Sequence, residues 1–408
     1  MNAQIDFSAP DIIADPYPAL NVLREQQPVC WNETIKSWCI TRYEDIAQAC
    51  RDARFSSDRI RPFLEYQRRA AQPLLKELGE CISLWMVFND PPTHTRLRKL
   101  TQKVFTRKAV EALRPAIERL VNQLIDQVSE RTSMDFVRDF AYPLPALVIA
   151  DMLGVPREHV GDLKRWSDDL AQFVLSSRIN PDKYEMAARS LHQMNELFDH
   201  LIQERQQKPG DSVMDTLIAA HTGGHRLNRD ELLAFCVLLL FAGHETTTHF
   251  FANGLRALLL HPAQLGDLQA VSDDSRRLNN ALSEMLRWEG PILAVSRFMA
   301  EDVVMHGQRM RAGSRVYLFN AAANRDPRVF VAPNRFDIRR PDADRMITFG
   351  FGIHLCLGIH LARLEALVAF PILLRRLRNI SLVSDDLEWS DTMVIRGPKT
   401  LPVIFESS

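Results

Sequence analysis

Near the C-terminal end, Phe349-Gly350-Phe351-Gly352-Ile353-His354-Leu355-Cys356-Leu357-Gly358 holds one cysteine in a glycine-punctuated aromatic loop. A helix-period run, 359–374, follows at once. A loop leading straight into a helix sets its cysteine against the positive end of the helix dipole. That favours thiolate over thiol by roughly 0.3–2 kcal/mol. A thiolate in an apolar loop needs a strong partner, and a metal is the obvious one. No second cysteine lies nearby and no Cys-x-x-Cys occurs, which speaks against a tetrahedral zinc site. A single axial thiolate is what a haem iron uses. The plain alternative is a buried cysteine in a Gly-rich turn.

A second constellation is Leu239-Leu240-Phe241-Ala242-Gly243-His244-Glu245-Thr246-Thr247-Thr248. As the centre of a helix it is poor on propensity. Gly costs ~1 kcal/mol against Ala, and three threonines in a row are β-branched. Ala242 and Gly243 remove bulk beside an acid and an alcohol, Glu245 and Thr246. A core helix whose glycine lets a neighbour pack close would read the same way. A third, Asp90-Pro91-Pro92-Thr93-His94-Thr95-Arg96-Leu97-Arg98, sets His94 and Arg98 one turn apart on a helix face, where both reach one anion. A fourth, Glu284-Met285-Leu286-Arg287, pairs a carboxylate with a guanidinium. As an exposed pair it contributes under ~1 kcal/mol.

Taken together these segments resemble the cytochrome P-450 family. Phe-Gly-x-Gly-x-His-x-Cys-x-Gly is similar to its haem-binding signature, and cysteine ligation of haem is a stated property of that family. The resemblance implies haem b (iron protoporphyrin IX) with Cys356 as axial iron ligand and Phe349, Ala242 and Gly243 around it. It implies that His94, Arg98, Arg297 and His354 receive the propionates, and that Thr246 and Glu245 deliver protons. It implies that Glu284 and Arg287 form a buried structural pair, with Arg335 of Pro333-Asn334-Arg335-Phe336 as third member and Arg340 as the backup. The substrate pocket it implies draws on Leu84, Trp85, Val87, Phe88, Phe173, Leu239, Ala242, Ile292, Leu293, Val295 and Val394. Asn324-Arg325-Asp326-Pro327 also resembles a family segment but receives no catalytic role.

The elements that position these residues are mostly helices. Helices are expected over 17–26, 43–51, 92–105, 108–128 capped by Thr106, 144–153, 159–176, 182–207 and 213–221. A long one over 229–260 has Asn228 and Glu231 as its capping box. Residues 55–85 read as irregular, with a short helix near 62–71, because Pro62, Pro73 and Gly79 interrupt them. Strands are expected at 38–40, 381–383 and 403–405. Those at 295–298, 303–306, 308–310 and 316–319 read as one small sheet with a hairpin at His306-Gly307. The fold class is mainly α with small β-sheets. The resemblance implies a single large P-450 domain over 1–408, with roughly a dozen helices around a buried haem.

Composition sets outer bounds. The chain has 408 residues, 46% hydrophobic and 25% charged, with net charge −1. Nothing in that balance pulls it toward nucleic acid or an anionic membrane. Residues 1–10 read as neither signal peptide nor anchor, and apolar runs such as 235–243 are too short to span a bilayer. Six cysteines without framework spacing fit a reducing cytoplasm. The family reading is a soluble bacterial-type monooxygenase inserting an oxygen atom from O2 into a small hydrophobic or amphipathic substrate, by hydroxylation or epoxidation. Electrons would come from a ferredoxin or flavodoxin with its reductase. Arg96, Lys99, Lys103, Arg107, Lys108 and Arg363 are either its basic dock or an ordinary solvated surface. Alternatives are a peroxide-driven peroxygenase, a non-catalytic haem protein and a haem-free helical ligand-binding protein.

Overall fold

Proline and asparagine punctuation decides where the helices begin. The computed structural model describes residues 5–60, 64, 73–174, 182–219, 226–270, 274–390 and 392–407. The long central helix, Arg229–Leu259, starts on the expected capping box: the Glu231 N–H donates to Asn228 Oδ1 at 2.8 Å, and the Asn228 N–H to Glu231 Oε2 at 3.0 Å. It runs unbroken through Ala242–Thr248 and ends before Pro262, which opens the next helix, Pro262–Ala270. Its length and apolar composition are enough to cross a membrane, a property the short runs in the sequence concealed. Of its apolar window, 72% is buried inside the molecule, which makes it a core helix here.

Two other expectations change. The 108–128 stretch is two helices, Arg107–Glu111 and Arg114–Asp126, because Pro115 belongs to a first turn and cannot continue the preceding helix. The Ala109 N–H does bond Thr106 Oγ1, at 3.3 Å. Within 55–85, Pro73–Ser83 is helical. Its proline occupies the first position, where a missing N–H costs nothing, so Pro73 starts the helix rather than breaking it. The helix expected near 62–71 lies outside the described residues.

The strands are β1 (Val29–Asn32), β2 (Ser37–Ile40), β3 (Phe55–Ser56), β4 (Ser133–Asp135), β5 (Val295–Met299), β6 (Val303–Met305), β7 (Gln308–Met310), β8 (Arg315–Leu318), β9 (Leu377–Leu382) and β10 (Pro402–Ser407). They form three sheets, ordered β1-β2-β8-β5-β3, β4-β10-β9 and β6-β7. The single late sheet expected from the sequence is therefore divided. β5 and β8 join N-terminal strands, with β2 and β8 parallel, whereas β6 and β7 close on each other. His306 and Gly307 have φ of 48° and 75°, the two positive values of a tight hairpin turn, so that turn closes its own pair locally.

The chain groups into two compact units, Met1–Phe55 with Glu111–Pro145 and Thr246–Ser408, and Ser56–Val110 with Ala146–Glu245. The first contains the apolar cluster of Ile40, Ile46, Met310, Val316, Leu318 and Phe330 between the mixed sheet and the Tyr43–Ala49 helix. The second is helical, with Val160–Val174 packed on Lys183–Gln207.

In the first unit, the Ile359–Arg376 helix carries a fully buried Glu365. Neither of its carboxylate oxygens has a hydrogen-bond partner among the described residues, and burial pushes the carboxyl from 4.5 up to about 8. A carboxyl with a raised folded pKa binds its proton more tightly in the native state. Its stabilising contribution is complete below pH 4.5 and is lost as pH rises toward 8. Relative to Glu365→Gln, which cannot ionise, the wild type should lose on the order of 5 kcal/mol across that window. Thermal melts of both proteins at pH 5 and pH 8 measure it. A difference in melting temperature that does not change with pH would refute the buried, neutral acid.

Candidate functional site

The cysteine loop is built by backbone conformations that side chains disfavour. Gly350 and Gly352 have φ of 78° and 71°. A Cβ at Gly352 would stand 2.8 Å from the carbonyl oxygen of Cys50, so the loop also needs glycine there for space. The Cys356 N–H donates to Phe349 O at 2.9 Å and closes the loop. Cys356 is half-buried, three residues before the first residue of the Ile359–Arg376 helix. The first-turn N–H groups of that helix have no intrahelical partners, and their partial positive charge favours an anionic sulfur nearby.

A buried ion cluster stands behind this loop. Arg287 holds Glu284 bidentately, with Nε to Oε2 at 2.6 Å and Nη2 to Oε1 at 2.8 Å, and both side chains are sealed from solvent. The third charged member is Arg340, whose Nε lies 3.1 Å from Glu284 Oε2. Arg335, the expected partner, does not fill that place. Its neighbour Phe336 turns inward among Trp288 and His261, which leaves the Arg335 side chain exposed. What Arg335 contributes is its carbonyl, which accepts from Arg287 Nη2 at 3.2 Å and from Arg340 Nη2 at 2.9 Å.

Asn324, to which the sequence assigned no role, joins the cluster to the loop. Its carbonyl accepts from Arg287 Nη1 at 2.8 Å and its Nδ2 donates to Thr348 Oγ1 at 2.8 Å. Thr348 in turn donates to Leu286 O at 2.7 Å and immediately precedes Phe349.

The anion-binding candidates fall in both units. In the second, His94 is buried and Arg98 half-buried on the Thr93–Thr101 helix. Burial first, then the Arg98 charge, hold the His94 imidazole below its ordinary pKa, while Asp90 acts the other way. An anion on this face would offset the Arg98 charge that opposes protonation of His94. Asp90 itself is held by the Ser56 hydroxyl and by the Ser57 N–H at 2.9 Å. In the first unit, Arg297 and His354 are half-buried, and Arg297 Nη1 donates to Ser296 O at 2.9 Å.

Two cations of the expected basic dock are occupied. Arg96 pairs with Glu231, and Arg363 is half-buried and donates to Ser283 Oγ at 3.0 Å. Lys99, Lys103, Arg107 and Lys108 are exposed.

The central helix changes character where the sequence indicated. Leu238–Phe241 are buried, Ala242 is exposed, Gly243, Glu245 and Thr246 are half-buried, and Thr247 and Thr248 are buried again. The space at Gly243 is not part of the opening. A Cβ there would lie 2.7 Å from Ile149 Cδ1, so this glycine admits a packed neighbour, while Ala242 is exposed.

Beside Glu245 lie two residues to which the sequence gave no role. His244 Nε2 is 3.7 Å from Glu245 Oε2, and Asp168 of the Val160–Val174 helix completes a group whose ligand atoms all lie within 4.8 Å of one another. His244 stands inside the motif and was open to the same reading as Glu245. Asp168 carries no local signal because the fold alone brings it there.

The expected pocket residues divide by unit. In the second, Trp85 stacks on Phe88 at 5.7 Å and lies 5.2 Å from Phe241, so these rings are packed core. Leu239 is buried, Leu84 and Phe173 are half-buried, and Val87 is 41% exposed. In the first, the Leu293 N–H donates to Val394 O at 2.8 Å, which brings 292–293 and 394–395 together as paired backbone. Leu293 is buried; Ile292, Val295 and Val394 are half-buried.

The donors suit a haem. One sulfur sits at a helix end, Ala242 is exposed on the central helix, and the guanidinium groups of Arg98 and Arg297 are of the type that binds carboxylates.

A family model described as Cytochrome P450 matches residues 30–405. Cytochrome P450 CYP107DY1 of Priestia megaterium is 35% identical over 98% of both chains. Cytochrome P450 monooxygenase PikC of Streptomyces venezuelae is 38% identical, over 96% of this chain and 92% of its own length. A solved structure of P450BioI, in complex with acyl carrier protein ligated by hexadec-9Z-enoic acid, superposes with a TM-score of 0.89 at 34% identity, covering 97% of this chain and 99% of that one.

Proposed function

The chain belongs to the cytochrome P450 family of oxidoreductases and has its mainly helical fold, and on that premise we propose that it inserts one oxygen atom from O2 into a small hydrophobic or amphipathic molecule. Hydroxylation and epoxidation are the reaction types this reading covers. The whole chain acts as one catalytic domain in the cytoplasm. A ferredoxin or flavodoxin with its reductase supplies electrons, and the exposed Lys99, Lys103, Arg107 and Lys108 attract such an acidic partner. The acyl chain named with the P450BioI structure supports an amphipathic substrate class.

Cys356 would hold haem b through its thiolate, and His94, Arg98, Arg297 and His354 would take the propionates. When bound, haem supplies the oxygen-activating redox chemistry. The protein's own residues govern protons and access. The loop's hydrogen bond from Cys356 N–H to Phe349 O keeps the sulfur ahead of the helix end. Glu245 holds a proton at its half-buried carboxyl, and the Thr246 hydroxyl passes it toward the face opened by Ala242. The buried apolar side chains of 239–241 keep water from their side of the helix.

The observation that carries this reading is the half-buried Cys356 in its glycine-turned loop directly before a helix, in a chain of this family. The test is turnover with a ferredoxin–reductase pair, on substrates chosen by the shift they cause in haem absorption. In Thr246→Ala, product per reductant consumed should fall at least ~10-fold while peroxide accumulates, since a positioned proton donor contributes on that scale or more. Full coupling in that variant would remove Thr246 from the proposed role. Absence of substrate-dependent reductant consumption in the wild type would overturn the oxygenase reading itself.

A further inference from the structure

We propose that Asp168, His244 and Glu245 form a divalent-cation site, suited to Zn²⁺, on the long helix and the helix packed beside it. The three ligand atoms lie within 4.8 Å of one another; Asp168 comes from Val160–Val174, and His244 and Glu245 from the part of Arg229–Leu259 in the same unit. Zinc takes imidazole nitrogen and carboxylate oxygen at about 2.0–2.2 Å, and three protein ligands with water in the fourth position is an established arrangement. Ligand atoms about 3.5 Å apart would satisfy that geometry, so the two half-buried carboxylates need to move inward by about 1 Å.

The second observation concerns the ring. His244 is buried, and its Nδ1 lies 2.8 Å from the carbonyl oxygen of Leu240. A carbonyl only accepts, so Nδ1 carries the proton and, in the neutral ring, Nε2 presents its lone pair toward Glu245. A ring nitrogen anchored on a backbone carbonyl, with the other facing carboxylates, is the outer-partner arrangement typical of metal-binding histidines.

The electrostatics point the same way. Two carboxylates, Asp168 and Glu245, lie within 4.8 Å of each other, and their charges repel. A cation between the two carboxylates removes that repulsion. Its natural competitor is Lys164, one turn away on the same helix, whose ammonium lies 3.3 Å from Asp168 and is half exposed.

The consequence for turnover rests on the reading of Glu245 as the proton-delivering acid: zinc bound here would withdraw that carboxylate and slow the reaction. The binding itself does not depend on that reading.

The experiment is calorimetric titration of the haem-loaded, tag-free protein with ZnCl2, followed by zinc X-ray absorption on the 1:1 sample. One zinc per chain is expected, with a nitrogen/oxygen shell. Affinity should fall roughly 100-fold in His244→Asn and in Asp168→Asn, at the upper end of what the loss of an outer partner costs. It should rise several-fold in Lys164→Gln, a surface change that does not threaten folding. A sulfur-containing shell, binding that survives both ligand substitutions, or no change in Lys164→Gln would overturn the site. If zinc binds as described but leaves turnover unaffected, the role of Glu245 fails and the site stands. If zinc does not bind while turnover proceeds, the site fails alone.

Discussion

Cys356→Ser should yield a folded protein that lacks the reduced-CO absorption of a thiolate-ligated haem and has no measurable monooxygenation. The loop does not depend on sulfur for its shape. Its turns come from Gly350 and Gly352 in left-handed conformations, and its closure from a backbone hydrogen bond to Phe349 O. A serine hydroxyl fits the same volume, so helicity and melting behaviour should change little. What disappears is the anionic sulfur, since a serine hydroxyl does not ionise at neutral pH as a thiol at a helix end does. Four of the other cysteines are held in the thiol form. Cys81 and Cys236 are pushed up to about 12 by burial, and Cys39 and Cys50 are also raised. An unchanged reduced-CO spectrum in Cys356→Ser would end its assignment as ligand. A variant that fails to fold would instead show that the loop needs sulfur for packing.

How far the site could be read from the sequence depended on how local each determinant is. The cysteine loop was legible because glycine positions, one cysteine and a following helical period all lie within a single segment. The start of the long helix was legible for the same reason, through Asn228 and Glu231. Pro73 was read as a breaker rather than as the first residue of a new helix, and the continuous 108–128 helix overlooked Pro115 in the first turn of a second one. The grouping of β5 and β8 with β1 and β2 could not be read at all, since long-range pairing leaves no mark in either strand. Gly243 is a subtler case. Its small size was noticed, but the sequence cannot say that Ile149 occupies the space it leaves. Asp168 was invisible because it reaches Glu245 only through helix packing.

Arg335 and Arg340 put that distinction to an experimental test. Both precede or follow an apolar residue in one short segment, and sequence resemblance favoured Arg335. The structure buries Arg340 against Glu284 and leaves only the carbonyl of Arg335 in the cluster. Truncating Arg287 to alanine should be the most damaging change in this region. It removes the bidentate partner of a fully buried carboxylate and the donors to Asn324 O, Pro333 O and Arg335 O. Breaking a buried pair in this way costs about 3–5 kcal/mol, because the remaining charge stays buried without its full complement.

Haem occupancy should fall in Arg287→Ala as well, since Asn324 and Thr348 no longer hold the approach to Phe349. Arg340→Ala should follow with a smaller loss, as Arg287 still covers Glu284 on two sides. Arg335→Ala should cost within ~0.5 kcal/mol, because an exposed side chain is removed and the carbonyl stays. Chemical denaturation and haem content of the three variants measured together decide the matter. Equal losses in Arg335→Ala and Arg340→Ala would mean that the side chain at 335, not its backbone, completes the cluster.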